Sequence, residues 1–166
     1  MKKIFRNMAM ALSLGMLITG SAFAATETTT MNVTATVGAA CTISTTPVSF
    51  GLYSGALKNA NGTITVNCTS GAPYNVGIDE GNNEAGGFRN ITNGTDTIIY
   101  ELYSDAGYTT IWGDNGMTGG NYPFGNPVAG TGTGVDQTLT VYGELSAGPL
   151  VSIGSYSDTV DVTVEF

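Results

Sequence analysis

Histidine is absent from the 166 residues, and Cys41 and Cys68 supply the two thiols. That inventory narrows the chemistry at once. No motif pairs a nucleophile with a base, and two cysteines without histidine make a poor metal site. The acidic neighbours Asp79 and Glu80 invite comparison with glycosidases, which work with two carboxylates about 5–10 Å apart. Adjacent acids in a turn are ordinarily a solvated surface. They open a glycine-rich acidic loop, residues 79–87, whose oxygen content would suit calcium, but the EF-hand spacing is missing. Trp112 with Tyr103 and Tyr108 could stack on a sugar, although aromatics at strand spacing more often fill a core. The Asn-x-Thr sequons at Asn32, Asn61, Asn67, Asn90 and Asn93 are what a chain rich in Asn and Thr produces by composition. The reading is therefore non-enzymatic, with no catalytic residue, no metal and no cofactor.

The first residues read as an export signal. Lys2, Lys3 and Arg6 precede a largely apolar, uncharged run over 8–20, and Ala22-Phe23-Ala24 forms a small-residue cleavage pattern. Residues 1–24 are thus expected to be removed. Cleavage leaves two basic residues, Lys58 and Arg89, against all thirteen acids, a net charge of −11. Such a chain is unsuited to nucleic acid, whose phosphates demand Lys and Arg, and to anionic lipid. Export also permits a disulfide between Cys41 and Cys68, worth about 3.6 kcal/mol by loop closure.

The elements that carry these residues follow a period of two. In residues 30–37, Met31, Val33, Ala35 and Val37 alternate with Thr30, Asn32, Thr34 and Thr36, the pattern of a strand with one buried face. A short hinge, Gly38-Ala39-Ala40, separates it from Cys41. The division expected is an N-terminal arm with its hinge over 25–40 and a sandwich domain over 41–166. Residues 47–51 read as an edge strand broken by Pro47, and Asn61-Gly62 as a turn. Ile64, Val66 and Cys68 then share a face, as do Tyr74, Val76 and Ile78, and Ile98, Tyr100 and Leu102. Residues 108–112 suggest the return of a hairpin. Residues 113–134 carry many glycines and fix no register. Residues 138–145 resume a strand. The last, 156–166, points Val160, Val162, Val164 and Phe166 one way and Thr159, Asp161, Thr163 and Glu165 the other. About seven short strands with intervening turns make an all-β sandwich.

Several of these segments resemble the spore coat protein U domain family, the subunits of archaic chaperone–usher pili. The resemblance rests on the export signal, the alternating arm before the first cysteine and the paired cysteines. Three segments sharpen it: Tyr100-Glu101-Leu102-Tyr103-Ser104-Asp105-Ala106, then Tyr142-Gly143-Glu144-Leu145, and the ending 154–166. It implies an incomplete immunoglobulin-like β-sandwich lacking its final strand, with an N-terminal donor strand. Val160, Val162, Val164 and Phe166 would line the acceptor groove and contact a periplasmic chaperone. Met31, Val33, Ala35 and Val37 would fill the groove of an identical or related subunit, an outer-membrane usher delivering the fibre to the cell surface. Strand addition is an established recognition mode, and arm plus groove on one chain make a non-closing contact that builds a filament. The function expected is a structural pilus subunit supporting attachment and biofilm formation. The alternative is a secreted β-sandwich adhesin or carbohydrate-binding module using Trp112 and the nearby tyrosines.

Overall fold

The computed structural model describes residues 24–166, so all of the expected export signal but Ala24 lies outside the described residues. The chain divides into two units between Ala35 and Thr36. In residues 24–35 the backbone carries no regular structure and every side chain is exposed.

The alternating segments of the second unit become eight strands: β1 (Cys41–Thr46), β2 (Lys58–Cys68), β3 (Pro73–Ile78), β4 (Arg89–Thr92), β5 (Thr97–Tyr103), β6 (Val128–Thr131), β7 (Gln137–Leu145) and β8 (Val162–Glu165). They form two antiparallel sheets, one of five strands in the order β1-β2-β7-β5-β4 and one of three in the order β6-β3-β8. The result is an all-β, immunoglobulin-like sandwich. Its core is built from one face of each long strand: Ile64, Val66 and Cys68 of β2, Tyr74, Val76 and Ile78 of β3, Ile98, Tyr100 and Leu102 of β5, and Val141 and Leu145 of β7. The period-two reading of those strands therefore gives the correct inward face. Cys41 pairs with Cys68 in register and is disulfide-bonded to it, stapling the start of β1 to the end of β2.

Several local expectations are corrected. Asn61-Gly62 is not a turn but lies inside β2, opposite Tyr142 and Val141. Gly62 is there because the chain leaving β1 crosses directly over it. A Cβ at Gly62 would lie 2.8 Å from both the Thr46 carbonyl oxygen and Val48 Cγ2. At Gly143 of β7 it would lie 2.6 Å from Val48 Cγ1 and 3.0 Å from Phe50 Cζ. Residues 47–51 accordingly form no strand. They cross the inner face of the large sheet, seating Val48 and Phe50 over two missing side chains.

Residues 108–112 likewise form no hairpin strand, contributing only single bridges from Ile111 to Tyr103 and from Trp112 to Asn126. The glycine-rich stretch 113–134 is ordered by close backbone approach: Gly113 and Gly125 pack so tightly that a Cβ on either would meet the other's backbone within 2.5 Å. It then supplies β6. At the C-terminal end the ladder covers Val162–Glu165 rather than the whole alternating run.

Candidate functional site

The two sheets do not close on each other along one side. A groove of about 730 Å³ opens there, and its floor is the core itself, including Ile64, Ile78, Ile98, Leu102 and Val141. One wall is the crossing segment, residues 45–53, and the other runs from Leu150 to Val162. The glycines at 62 and 143 create this arrangement, since they let residues 47–51 lie flat over the large sheet. The five floor residues themselves stay buried, each 7% exposed or less.

The backbone of the second wall has its own unmet need. β8 pairs with β3 on one side and has no ladder partner on the other among the described residues. Asp79 N donates to Asp161 O at 3.1 Å, just beyond that ladder. Hydrogen-bonding direction alternates along an antiparallel strand, so odd-numbered residues face β3. The N–H and C=O groups of Val160, Val162 and Val164 then point to the free edge. A free edge beside an apolar groove is a template for one more strand.

Polar contacts hold this wall in place. Asp158 accepts hydrogen bonds from Tyr100 Oη at 2.7 Å and from Asn83 Nδ2 at 2.8 Å. Burial, reinforced by the Asp158 carboxylate, pushes the Tyr100 phenol well above its ordinary range. Asp79 Oδ1 accepts from the Asp161 and Gly81 amides, while its partial burial raises its pKa above 3.8. In the acidic loop that could have suited calcium, Asp79 and Glu84 accept from backbone amides, Glu84 Oε1 from Gly87 N. Further along, Asp96 accepts from Ser152 N at 2.8 Å, and the hydrogen bonding from Ser152 holds its carboxyl below the usual 3.8.

Against this geometry the comparisons are specific. The family model for the Spore Coat Protein U domain matches residues 27–163. The chain belongs to the Spore Coat Protein U domain family. Among curated relatives it is similar to Protein U of Myxococcus xanthus, 31% identical over 163 residues, covering 86% of this chain and 87% of that one. Among solved structures it is similar to a chain of the CsuC–CsuE chaperone–tip adhesion subunit pre-assembly complex from archaic chaperone-usher Csu pili of Acinetobacter baumannii. The TM-score is 0.55 at 20% identity, covering 79% of this chain and 40% of that one. At that identity the likeness speaks for the fold.

Within this Spore Coat Protein U domain the residues singled out from sequence fall in different places. Val160 and Val162 line the groove. Val164 is half-buried against the core opposite Val76, and Phe166 is 57% exposed and outside the groove lining. Met31, Val33 and Val37 are each more than four-fifths exposed, and Ala35 is exposed with them. Trp112 leaves the sugar-stacking set: it is 1% exposed and its indole N–H donates to the Val76 carbonyl at 2.8 Å. Tyr103 and Tyr108 are joined instead by Tyr142, with edge-to-face ring separations of 5.6 and 6.2 Å.

The residue that sequence reasoning missed is Arg89. It is fully buried, ion-paired to Glu101 and stacked 4.2 Å from the centroid of Tyr122. It also donates to the carbonyls of Ile78, Asp79 and Trp112. The Tyr122 hydroxyl closes the set on Glu101, and burial with that partner raises the phenol's pKa far above 10. One side chain thus ties together β3, β4, β5 and the glycine-rich loop. Its rarity, one of two cations after residue 24, was the available signal.

Proposed function

We propose that this protein is a structural subunit of a surface pilus, assembled by the chaperone–usher route through donor-strand exchange and supporting attachment and biofilm formation. The observation that carries the reading is the groove: an apolar trough floored by the core, beside a strand whose inward-facing residues also present unpaired backbone groups. The arm supplies the complementary object. Met31, Val33, Ala35 and Val37 alternate with polar residues along an exposed segment without regular structure. Exposed large apolar side chains repeated at strand spacing are costly unless something covers them. A periplasmic chaperone fills the groove during export, and the usher then exchanges that strand for the arm of the next subunit.

The test separates the two halves of the contact. Val162→Asp places an unpaired charge in the groove and should abolish a stable complex with the cognate chaperone in periplasmic extracts. Val33→Asp should leave that complex soluble and folded, yet yield no fibres by electron microscopy. If Val33→Asp unfolds the subunit in its chaperone complex, the arm belongs to its own domain and donor exchange is wrong.

A further inference from the structure

We infer that Leu52, Leu150 and Ile153 form an apolar seat for the body of the neighbouring copy, so that successive subunits touch through their domains as well as through the arm. The inference rests on the pilus reading and extends it to a second surface.

The three side chains are 84%, 80% and 102% exposed, and all three border the groove. Their display is not a matter of a loose loop. Ser152 N is held by Asp96, the Tyr156 hydroxyl donates to Ser152 O at 2.9 Å, and Gly148 N donates to Gly55 O at 3.1 Å. Leu150 packs against that second loop, its Cδ2 3.4 Å from where a Gly55 Cβ would stand. Aliphatic side chains held outward on pinned backbone, flush with an apolar groove, extend that groove's surface.

The occupant follows from length and register. Every ladder in the fold is antiparallel, and antiparallel addition satisfies a free edge best. Run antiparallel to the last strand, the arm matches residue for residue: Met31 opposite Phe166, Val33 opposite Val164, Ala35 opposite Val162, Val37 opposite Val160. The donor's next residues then run beside 157–159, toward the end of the groove where Ile153 and Leu150 stand. The donor cannot swing away from there. Its Ala40 is fixed to its own domain, donating to Thr69 Oγ1 at 3.1 Å and accepting from Thr69 N at 2.9 Å. Three residues of fully extended chain span at most about 11 Å. The donor's domain must therefore begin within that distance of Val37, beside the groove that the three aliphatic side chains border.

Amide hydrogen exchange on assembled fibres provides the test. The control is full-length subunit whose chaperone has been displaced by a synthetic peptide of residues 25–37, which fills the groove without bringing a neighbouring domain. Residues 160–166 should be protected in both samples. Residues 51–57 and 146–155 should exchange at least about tenfold more slowly in the fibre alone. Equal exchange of the two loops in fibre and peptide complex overturns the seat while leaving donor exchange standing. Failure of the wild-type subunit both to polymerise and to take the peptide overturns the pilus reading and the seat with it.

Discussion

Arg89 shows how much one side chain can organise. A guanidinium taken wholly out of water is tolerable only where its donors are used, and here they reach one carboxylate and three backbone carbonyls. Removing it strands Glu101 in a largely dehydrated site, its side chain 12% exposed. Arg89→Met should destabilise the domain by about 3–5 kcal/mol in urea denaturation. Arg89→Met/Glu101→Gln should recover part of the loss, because the orphaned charge goes with its partner. Equal losses for the single and paired variants would mean that the carbonyl contacts, not the ion pair, carry the stability. Trp112 makes a related point: an indole that could stack on a ligand is instead committed to the Val76 carbonyl and the core.

At the scale of elements, the groove exists because two strands yield space to a third segment. Gly62 in β2 and Gly143 in β7 are poor strand residues by propensity. Their cost is offset by the close passage of Val48 and Phe50. Gly143→Ala should therefore destabilise the domain by about 1–3 kcal/mol through overpacking. In a Val48→Ala background the same change should cost much less, a coupling readable by a double-mutant cycle in urea. Additive losses would show that Gly143 serves backbone freedom rather than the crossing segment. β1 is secured differently: its first residue is disulfide-bonded to the last residue of β2, which fixes the start of this edge strand covalently to its neighbour.

Across the whole molecule, acidity tests the opposing pKa shifts along the groove wall. Asp96 has a folded pKa depressed below 3.8, so its contribution to stability is present above 3.8 and is lost as pH falls through the folded value. Asp79 has the opposite sign. Its raised folded pKa contributes stability below 3.8 that disappears as pH rises through the folded value. Carboxyl carbon NMR of the chaperone-free, peptide-filled subunit should give a midpoint below 3.8 for Asp96 and above it for Asp79. Slowed exchange at Ser152 should be lost over the Asp96 titration. Coincident midpoints would remove Asp96 as the pin of the apolar rim.

Much of this protein was determined by local pattern. Strand parity follows from alternation, so the inward residues of β2, β3, β5 and β7 are legible from the chain itself. The cysteine pairing, the alternating arm and the absence of histidine are equally readable, and the segments at 100–106, 142–145 and 154–166 carry the resemblance to the family whose model matches 27–163. What only the tertiary structure decided is wherever a residue's role depends on something distant in sequence. Asn61-Gly62 has the composition of a turn, yet it lies inside β2 because Val48 needs the missing side chain. Arg89 finds Glu101 and Tyr122 twelve and thirty-three positions away, and Trp112 finds the Val76 carbonyl. Propensity and periodicity describe what a segment does alone. The groove and the buried cation arise where segments meet, and there packing and hydrogen-bond satisfaction override the local preference.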